Sequence, residues 1–275
     1  MKVVLFCGGY GMRMRDGASD LPKPMHTVGP RPLLWHVMRY YAHFGHTDFV
    51  LCLGYGAEHV KDYFLNYSET GSNDFVLRRG EVEVLGSDIA DWTITFVHTG
   101  LDSSIGERLR RVRRHVADEE LFLANYADVL TDAPLDDVVS RFRRSDAVAA
   151  LLAVPPQAAF HCVGIGEDDR VTAVSGLRDL PIWENGGYFV LRPEIFDHIP
   201  EGGCLVEDAC AGLARAGRLL AHRHRGFWQP ADTAKERMAL EASYRDGTRP
   251  WMLWEQPYRD PLEAAIDRLR VGAAR

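Results

Sequence analysis

The residues best placed to do chemistry stand near the amino terminus. Gly8, Gly9 and Gly11 follow directly on the apolar run Val3-Val4-Leu5-Phe6-Cys7. Glycine takes positive φ readily and lets backbone approach a ligand with no Cβ in the way. Successive N–H groups in such a turn form an anion-binding concavity. Arg13 adds a planar donor fork suited to phosphate oxygens, and Lys23 adds a compact, mobile charge. Pro22 and Pro24 flank Lys23 and restrict where its stem starts. The spacing Gly-Gly-Tyr-Gly lacks both the Gly-x-Gly-x-x-Gly dinucleotide fingerprint and the Gly-Lys-Ser/Thr of a P-loop. A structural turn would account for the glycines alone, and a surface lysine for Lys23 alone. Together they point to a protein that grips a nucleoside triphosphate and does chemistry at its α-phosphate.

Two aspartates could add a metal. Asp128 lies just beyond the β run 120–125, where an open α/β sheet places its ligand crevice. Asp232 lies in Gly226-Phe-Trp-Gln-Pro-Ala-Asp-Thr233, where a helix should start, so it could equally cap that helix. Asp132, ahead of Pro134, could cap another. If Asp128 and Asp232 converge, they offer Mg²⁺ two hard oxygens, with water and triphosphate completing the shell. The sequence leaves that convergence open. The histidines show no zinc-ligand spacing. Cysteines 7, 52, 162, 204 and 210 show no paired spacing, and Cys7 and Cys52 fall in apolar runs where a thiol packs as a small hydrophobe.

The elements that must position these groups read as strand and helix in alternation. Strands are expected over 2–7, 48–54, 92–98, 120–125 and 147–154. Helices are expected after Pro32, with Leu34, Val37, Met38 and Tyr41 at helical spacing and Gly45 as the stop, and over 57–66. A further helix follows Pro134, with Leu135, Val138, Val139 and Phe142 on one face. Such alternation implies βαβ units and a mostly parallel sheet. Residues 68–90 read as irregular. From 160 onward short β segments (160–165, 170–174, 187–191) suggest a mixed-sheet lobe, followed by helices over 205–216 and 231–244. The basic cluster Arg108, Arg110, Arg111, Arg113, Arg114 and His115 suits a helix that is solvated or faces another subunit. Trp251, Leu253, Trp254, Tyr258 and Leu262 give the tail an apolar surface that should dock on the body or on a partner.

The 275 residues, 46% hydrophobic and 26% charged, fit one large α/β unit. A net charge of −7 argues against a broad nucleic-acid surface. No apolar run is long enough for a membrane span or a signal peptide, so a cytoplasmic protein is expected.

Over roughly residues 1–255 the chain resembles the sugar-1-phosphate nucleotidyltransferases, and among them the glucose-1-phosphate cytidylyltransferases. The anchors are Gly8-Gly9-Tyr10-Gly11-Met12-Arg13, Pro22-Lys23-Pro24-Met25, Leu34-Trp35-His36-Val37-Met38, Asn185-Gly186-Gly187-Tyr188 and Gly226 to Thr233. The resemblance implies a Rossmann-like α/β fold with a mixed, mostly parallel central sheet and a smaller acceptor-binding lobe. It divides residues 1–250 into a nucleotide-binding part (1–155) and a sugar-phosphate-binding part (156–250), with 251–275 as an extension that is docked or in an oligomer interface. It implies that Gly8, Gly9 and Gly11 cradle the nucleotide, with Gly106 along the base. Arg13 and Lys23 would be catalytic, and Asp128 and Asp232 would hold Mg²⁺. Glu184, Asn185, Gly186 and Gly187 would line the sugar pocket. Where the family carries Glu-Lys-Pro this chain has Ser175-Gly176-Leu177-Arg178, so Arg178 is the candidate for the sugar phosphate. Ala127 and Val129 replace glycines usual beside the metal aspartate, and Met12 replaces a small hydroxyl residue.

The reaction implied joins an NTP, CTP favoured, to a sugar-1-phosphate, glucose-1-phosphate favoured, with in-line attack on the α-phosphate and release of pyrophosphate. The same reaction with another base or a modified sugar or cyclitol phosphate stays open, as does a non-catalytic nucleotide-binding homologue. The expected partners are those small molecules and further copies of the chain in a homo-oligomer, with no nucleic acid and no membrane.

Overall fold

The runs rich in Val, Leu and Phe become the strands of one sheet: β1 (Lys2–Phe6), β2 (Asp48–Leu53), β3 (Thr93–His98), β4 (Phe122–Tyr126), β5 (Ala149–Val154), β6 (Glu184–Leu191) and β7 (Leu219–Arg223). The computed structural model describes residues 1–9, 21–157 and 160–255. The seven strands lie in the order β7-β5-β6-β4-β1-β2-β3. Neighbours are parallel except at β6, which runs antiparallel to both β5 and β4. The sheet is therefore mixed and mostly parallel, as expected of a Rossmann-like fold. Strands β6 and β7, from beyond residue 156, pair directly with strands from before it. Among the described residues the hairpin His161–Ile165/Val171–Gly176 forms a separate two-stranded sheet wholly within the predicted lobe.

Helices α1 (Leu33–His43), α2 (Ala57–Leu65), α3 (Ile105–Arg111) and α4 (Leu135–Arg143) make the crossovers, and α5 (Ala234–Arg245) follows the sheet. Strand alternation sorts the core into two layers. Val3 and Leu5 pack with Leu34, Val37 and Met38 of α1, whereas Val4 and Phe6 pack with Leu109 of α3, Val112 and Val116. Gly45 ends α1 at φ +79°, a conformation that costs glycine no Cβ clash.

Residues 68–90 are less irregular than expected. They hold a short helix (Glu69–Ser72) and a hairpin, Phe75–Arg78/Glu81–Val84. Its turn places Arg79 and Gly80 at φ 53° and 88°, the two positive values that a tight type I′-like connection requires. The tail docks as far as it is described: Trp251 and Met252 are buried in the chain's own core, and Trp254 meets Trp35 edge-on at 5.7 Å. Tyr258 and Leu262 lie outside the described residues. No helix among the described residues is long and apolar enough to cross a membrane, and the five cysteines are free thiols.

Candidate active site

A cleft of about 1370 Å³ opens where β1 and β4 end, lined there by Phe6, Cys7, Gly9, Tyr126 and Asp128. Lys23 enters it from a single 3₁₀ turn, Lys23–Met25, with Pro22 at φ −66° in front and Pro24 inside. Pro22 leans on the start of α2, where a Cβ on Gly56 would lie 2.7 Å from the proline ring. The stem of Lys23 is thus fixed at its root by proline geometry and packing, as its sequence context predicts.

Asp128 and Asp232 converge on this lysine. The Lys23 Nζ lies 2.6 Å from Asp128 Oδ2 and also donates to Asp232 Oδ1. Their meeting has a backbone cause. Strand residues Val129–Thr131 pair antiparallel with Trp228–Pro230, Val129 opposite Pro230, and the Ala231 N–H donates to the Asp128 carbonyl at 2.9 Å. That register sets Asp232 beside Asp128. Asp232 is not the helix cap. Thr233 caps α5, its hydroxyl accepting from the Glu236 N–H, and Glu236 Oε2 in turn accepts from the N–H groups of Asp232 and Thr233, each at 2.9 Å. This capping box holds the turn that carries Asp232. Asp132 is no cap either: Pro134 precedes α4 without a side-chain cap, and Asp132 Oδ1 lies 2.8 Å from His224 Nε2.

The electrostatics are those of a half-desolvated cluster. Burial pulls the Lys23 pKa down, but Asp128 first and then Asp232 push harder, leaving it above the ordinary lysine value. Burial raises the Asp128 pKa, and Lys23 offsets only part of that. Two carboxylates whose oxygens meet at one cation are also a donor set that a divalent cation accepts. No group of three His, Cys, Asp or Glu side chains forms a metal site among the described residues, so a metal here would draw its further ligands from water and substrate.

Beneath the glycine turn lies Arg108, a residue that the sequence hid among its neighbours. Expected on a helix that is solvated or faces another subunit, it is 3% exposed within its own chain. Its guanidinium donates to the carbonyls of Gly8 (2.9 Å), Gly100 (2.8 Å), Leu101 (3.0 Å) and Leu53 (3.4 Å) and to Thr99 Oγ1 (2.9 Å). All five acceptors are neutral, and Arg108 also lines the cleft wall. A Cβ on Gly8 would lie 2.7 Å from Arg108 Cζ and 2.9 Å from the Gly54 nitrogen, whereas one on Gly9 would meet nothing among the described residues. Gly8 is glycine for packing, and Gly9 is the exposed cleft-facing member. Gly11 and Arg13 lie outside the described residues.

Of the remaining candidates, Arg178, Glu184 and Asn185 line the cleft. Arg178 is tied by Nη2 to the Gln157 carbonyl at 2.9 Å. Gly186 and Gly187 lie behind, buried. The Gly186 carbonyl accepts from Trp228 Nε1 at 2.8 Å, and Gly187, at φ +75°, packs against the Tyr126 ring. Gly106 faces the 199–205 segment, where an added Cβ would come within 3.0 Å of Ile199 Cγ2 and the Leu205 nitrogen. Its neighbours Ser104 and Ile105 line the cleft in its place. Ala127 and Val129 are both buried in the core, and Val129 also lines the cleft.

No protein-family model matches the chain. It is 35% identical over 258 residues to the probable glucose-1-phosphate cytidylyltransferase of Bacillus subtilis (strain 168), covering 92% of this chain and 100% of that one. It is likewise 35% identical over 261 residues to the glucose-1-phosphate cytidylyltransferase of Salmonella typhimurium, covering 93% and 100%. Among solved structures, a UDP-glucose pyrophosphorylase from Acinetobacter baumannii superposes with a TM-score of 0.64 at 17% identity over 88% of this chain and 92% of its own, a likeness of fold.

Proposed function

The chain belongs to the sugar-1-phosphate nucleotidyltransferases, and on that premise we propose that it joins CTP to glucose 1-phosphate with release of pyrophosphate. A phosphate monoester has its second pKa near ~6, so the attacking oxygen is ionised at neutral pH and no general base is needed. That oxygen bonds to the α-phosphorus while the α–β bridging bond breaks on the opposite side, its electron pair leaving with pyrophosphate. The protein's work is to hold two anions in line and to stabilise charge on the transferring group. Lys23 supplies the ammonium for the α-phosphate, the Gly8–Gly9 backbone faces the triphosphate, and Arg108 holds that backbone while adding its own positive charge. Asp128 and Asp232 would hold Mg²⁺, which when bound neutralises triphosphate charge as a Lewis acid. Arg178, Glu184 and Asn185 face the acceptor.

The observation that carries this reading is the convergence of Lys23, Asp128 and Asp232 at the cleft beside Gly9. The cytosine and glucose preferences rest on the cytidylyltransferase relatives alone. The test is direct: the purified chain with Mg²⁺, each common NTP and a panel of sugar 1-phosphates, products identified by mass. CDP-glucose and pyrophosphate are expected. Another NDP-sugar would overturn the substrate assignment and keep the reaction; no NDP-sugar from any pair would overturn the reaction.

A further inference from the structure

Tyr126 ends β4 two residues before Asp128 and lines the cleft. A tyrosine hydroxyl carries one proton and can accept as well as donate. Here a neighbour decides which it does. The Asn185 side chain accepts from the Gly187 N–H through Oδ1 at 3.0 Å, which fixes the oxygen end of its amide. The group 3.4 Å from the Tyr126 hydroxyl is then Nδ2, and an amide nitrogen only donates. The hydroxyl spends a lone pair on Asn185, so its own proton must point elsewhere. Among the described residues no group accepts that proton. Burial raises the phenol pKa to about 12, which keeps the proton in place across the neutral range. The ring itself is held. Its centroid lies 6.3 Å from that of Phe6 and 5.8 Å, edge-on, from that of Phe189, and a Cβ on Gly187 would come within 2.5 Å of its Cδ2.

The direction of that tie selects the ligand. β6 and β1 flank β4 on opposite sides, and the hydroxyl is bonded toward β6, away from the glycine turn that follows β1. Glu184, next to Asn185, also lines the cleft and meets no cation among the described residues. Its carboxylate can only accept when ionised. A donor of fixed direction on the same side as a free acceptor suits an uncharged hydroxyl, which can take one hydrogen bond and give another. A second phosphate or carboxylate there would be repelled by Glu184. We propose that Tyr126 donates its proton to an uncharged hydroxyl of the acceptor sugar, and that Asn185 is the positioning residue that keeps the proton turned to it. The inference rests on the nucleotidyltransferase reading and names what this side of the cleft recognises.

The test crosses enzyme variants with substrate variants: glucose 1-phosphate and its monodeoxy analogues, each with the NTP that the wild type uses. Tyr126→Phe keeps the ring packing and removes only the hydroxyl. Its KM for glucose 1-phosphate should rise about fivefold, the usual scale for one neutral hydrogen bond, with the KM for the NTP unmoved. One deoxy analogue should cost the wild type about the same factor in kcat/KM and cost Tyr126→Phe nothing further. Asn185→Asp should lose the same discrimination. Its carboxylate still accepts from Gly187, but its other oxygen now draws the tyrosine proton out of the cleft. All the analogues carry the same charge, so the added negative charge cancels in comparisons among them. A wild type that discriminates against no analogue, a Tyr126→Phe variant that discriminates as the wild type does, or a loss confined to the KM for the NTP would overturn the proposal. Discrimination retained by Asn185→Asp would overturn the positioning role. No NDP-sugar from the wild type would remove the nucleotidyltransferase reading and this inference with it, whereas turnover with unchanged discrimination removes this inference alone.

Discussion

At the residue scale the site turns on one ammonium shared by two carboxylates. Lys23 keeps its charge in a partly desolvated place because Asp128 and Asp232 outweigh burial. A charge that acts mainly in the transition state is commonly worth ~3 kcal/mol, about a hundredfold in rate. Turnover by Lys23→Ala at saturating substrates should therefore fall at least a hundredfold. Removal also leaves Asp128 and Asp232 facing one another with no cation between them. Added Mg²⁺ should then raise the melting temperature of the variant more than that of the wild type. Equal Mg²⁺ shifts in a thermal scan would refute the shared carboxylate site, and undiminished turnover would refute the lysine's role. Lys23 was legible in the sequence because two prolines and a neighbouring glycine turn single it out. Arg108 was not, since it is one of five arginines at helical spacing. What distinguishes it is a set of carbonyls from Leu53, Gly8 and the 99–101 segment, which only the folded sheet brings together.

At the scale of elements the geometry of the candidate site depends on two backbone junctions: the β1 turn clamped by Arg108, and the strand pair 129–131/228–230. The first makes neighbouring glycines inequivalent. Gly8→Ala must displace a guanidinium that satisfies several buried carbonyls, each costing ~1–3 kcal/mol when left unpaired. Its urea midpoint should drop clearly, while Gly9→Ala, whose added Cβ meets no atom among the described residues, should stay within ~0.5 kcal/mol of wild type. Similar midpoints for the two variants would remove Arg108 from this role. The sequence showed most of these elements, because apolar runs and helical spacing report burial directly. It missed the 75–84 hairpin, whose Arg79-Gly80 turn is not one of the strong Asn-Gly or Asp-Gly signals. It also left Asp232 ambiguous between cap and ligand. The answer was Thr233, one residue on, with Glu236 completing the box, and no local pattern could report that Val129 would pair with Pro230.

At the scale of the whole molecule, α1 and the tail are joined through one neutral imidazole. His36 is fully buried, 3.0 Å from the Val28 carbonyl through Nε2 and 3.4 Å from Trp251 Nε1 through Nδ1. Only the neutral Nε2–H tautomer satisfies both, since it donates to Val28 and accepts from the indole. A second ring proton would set two N–H groups against each other at Trp251. Burial accordingly lowers the His36 pKa to about 4, against ~6.5 in the unfolded chain. Between those values the unfolded state binds the proton and the folded state does not, so stability rises with pH across this window and is lost as pH falls. From pH 7 to pH 5 this one group should cost about 2 kcal/mol. His46, also lowered to about 4 by burial, acts in the same direction. His36→Gln keeps an amide donor for Val28 and removes the titration, so its stability should depend less on pH over that range than the wild type's. Urea unfolding at the two pH values, followed by tryptophan fluorescence that senses Trp251 against its neighbours, measures the difference. Parallel pH dependence in the two proteins would show that acid acts elsewhere, and that the tail is held by apolar packing without this hydrogen-bonded hinge.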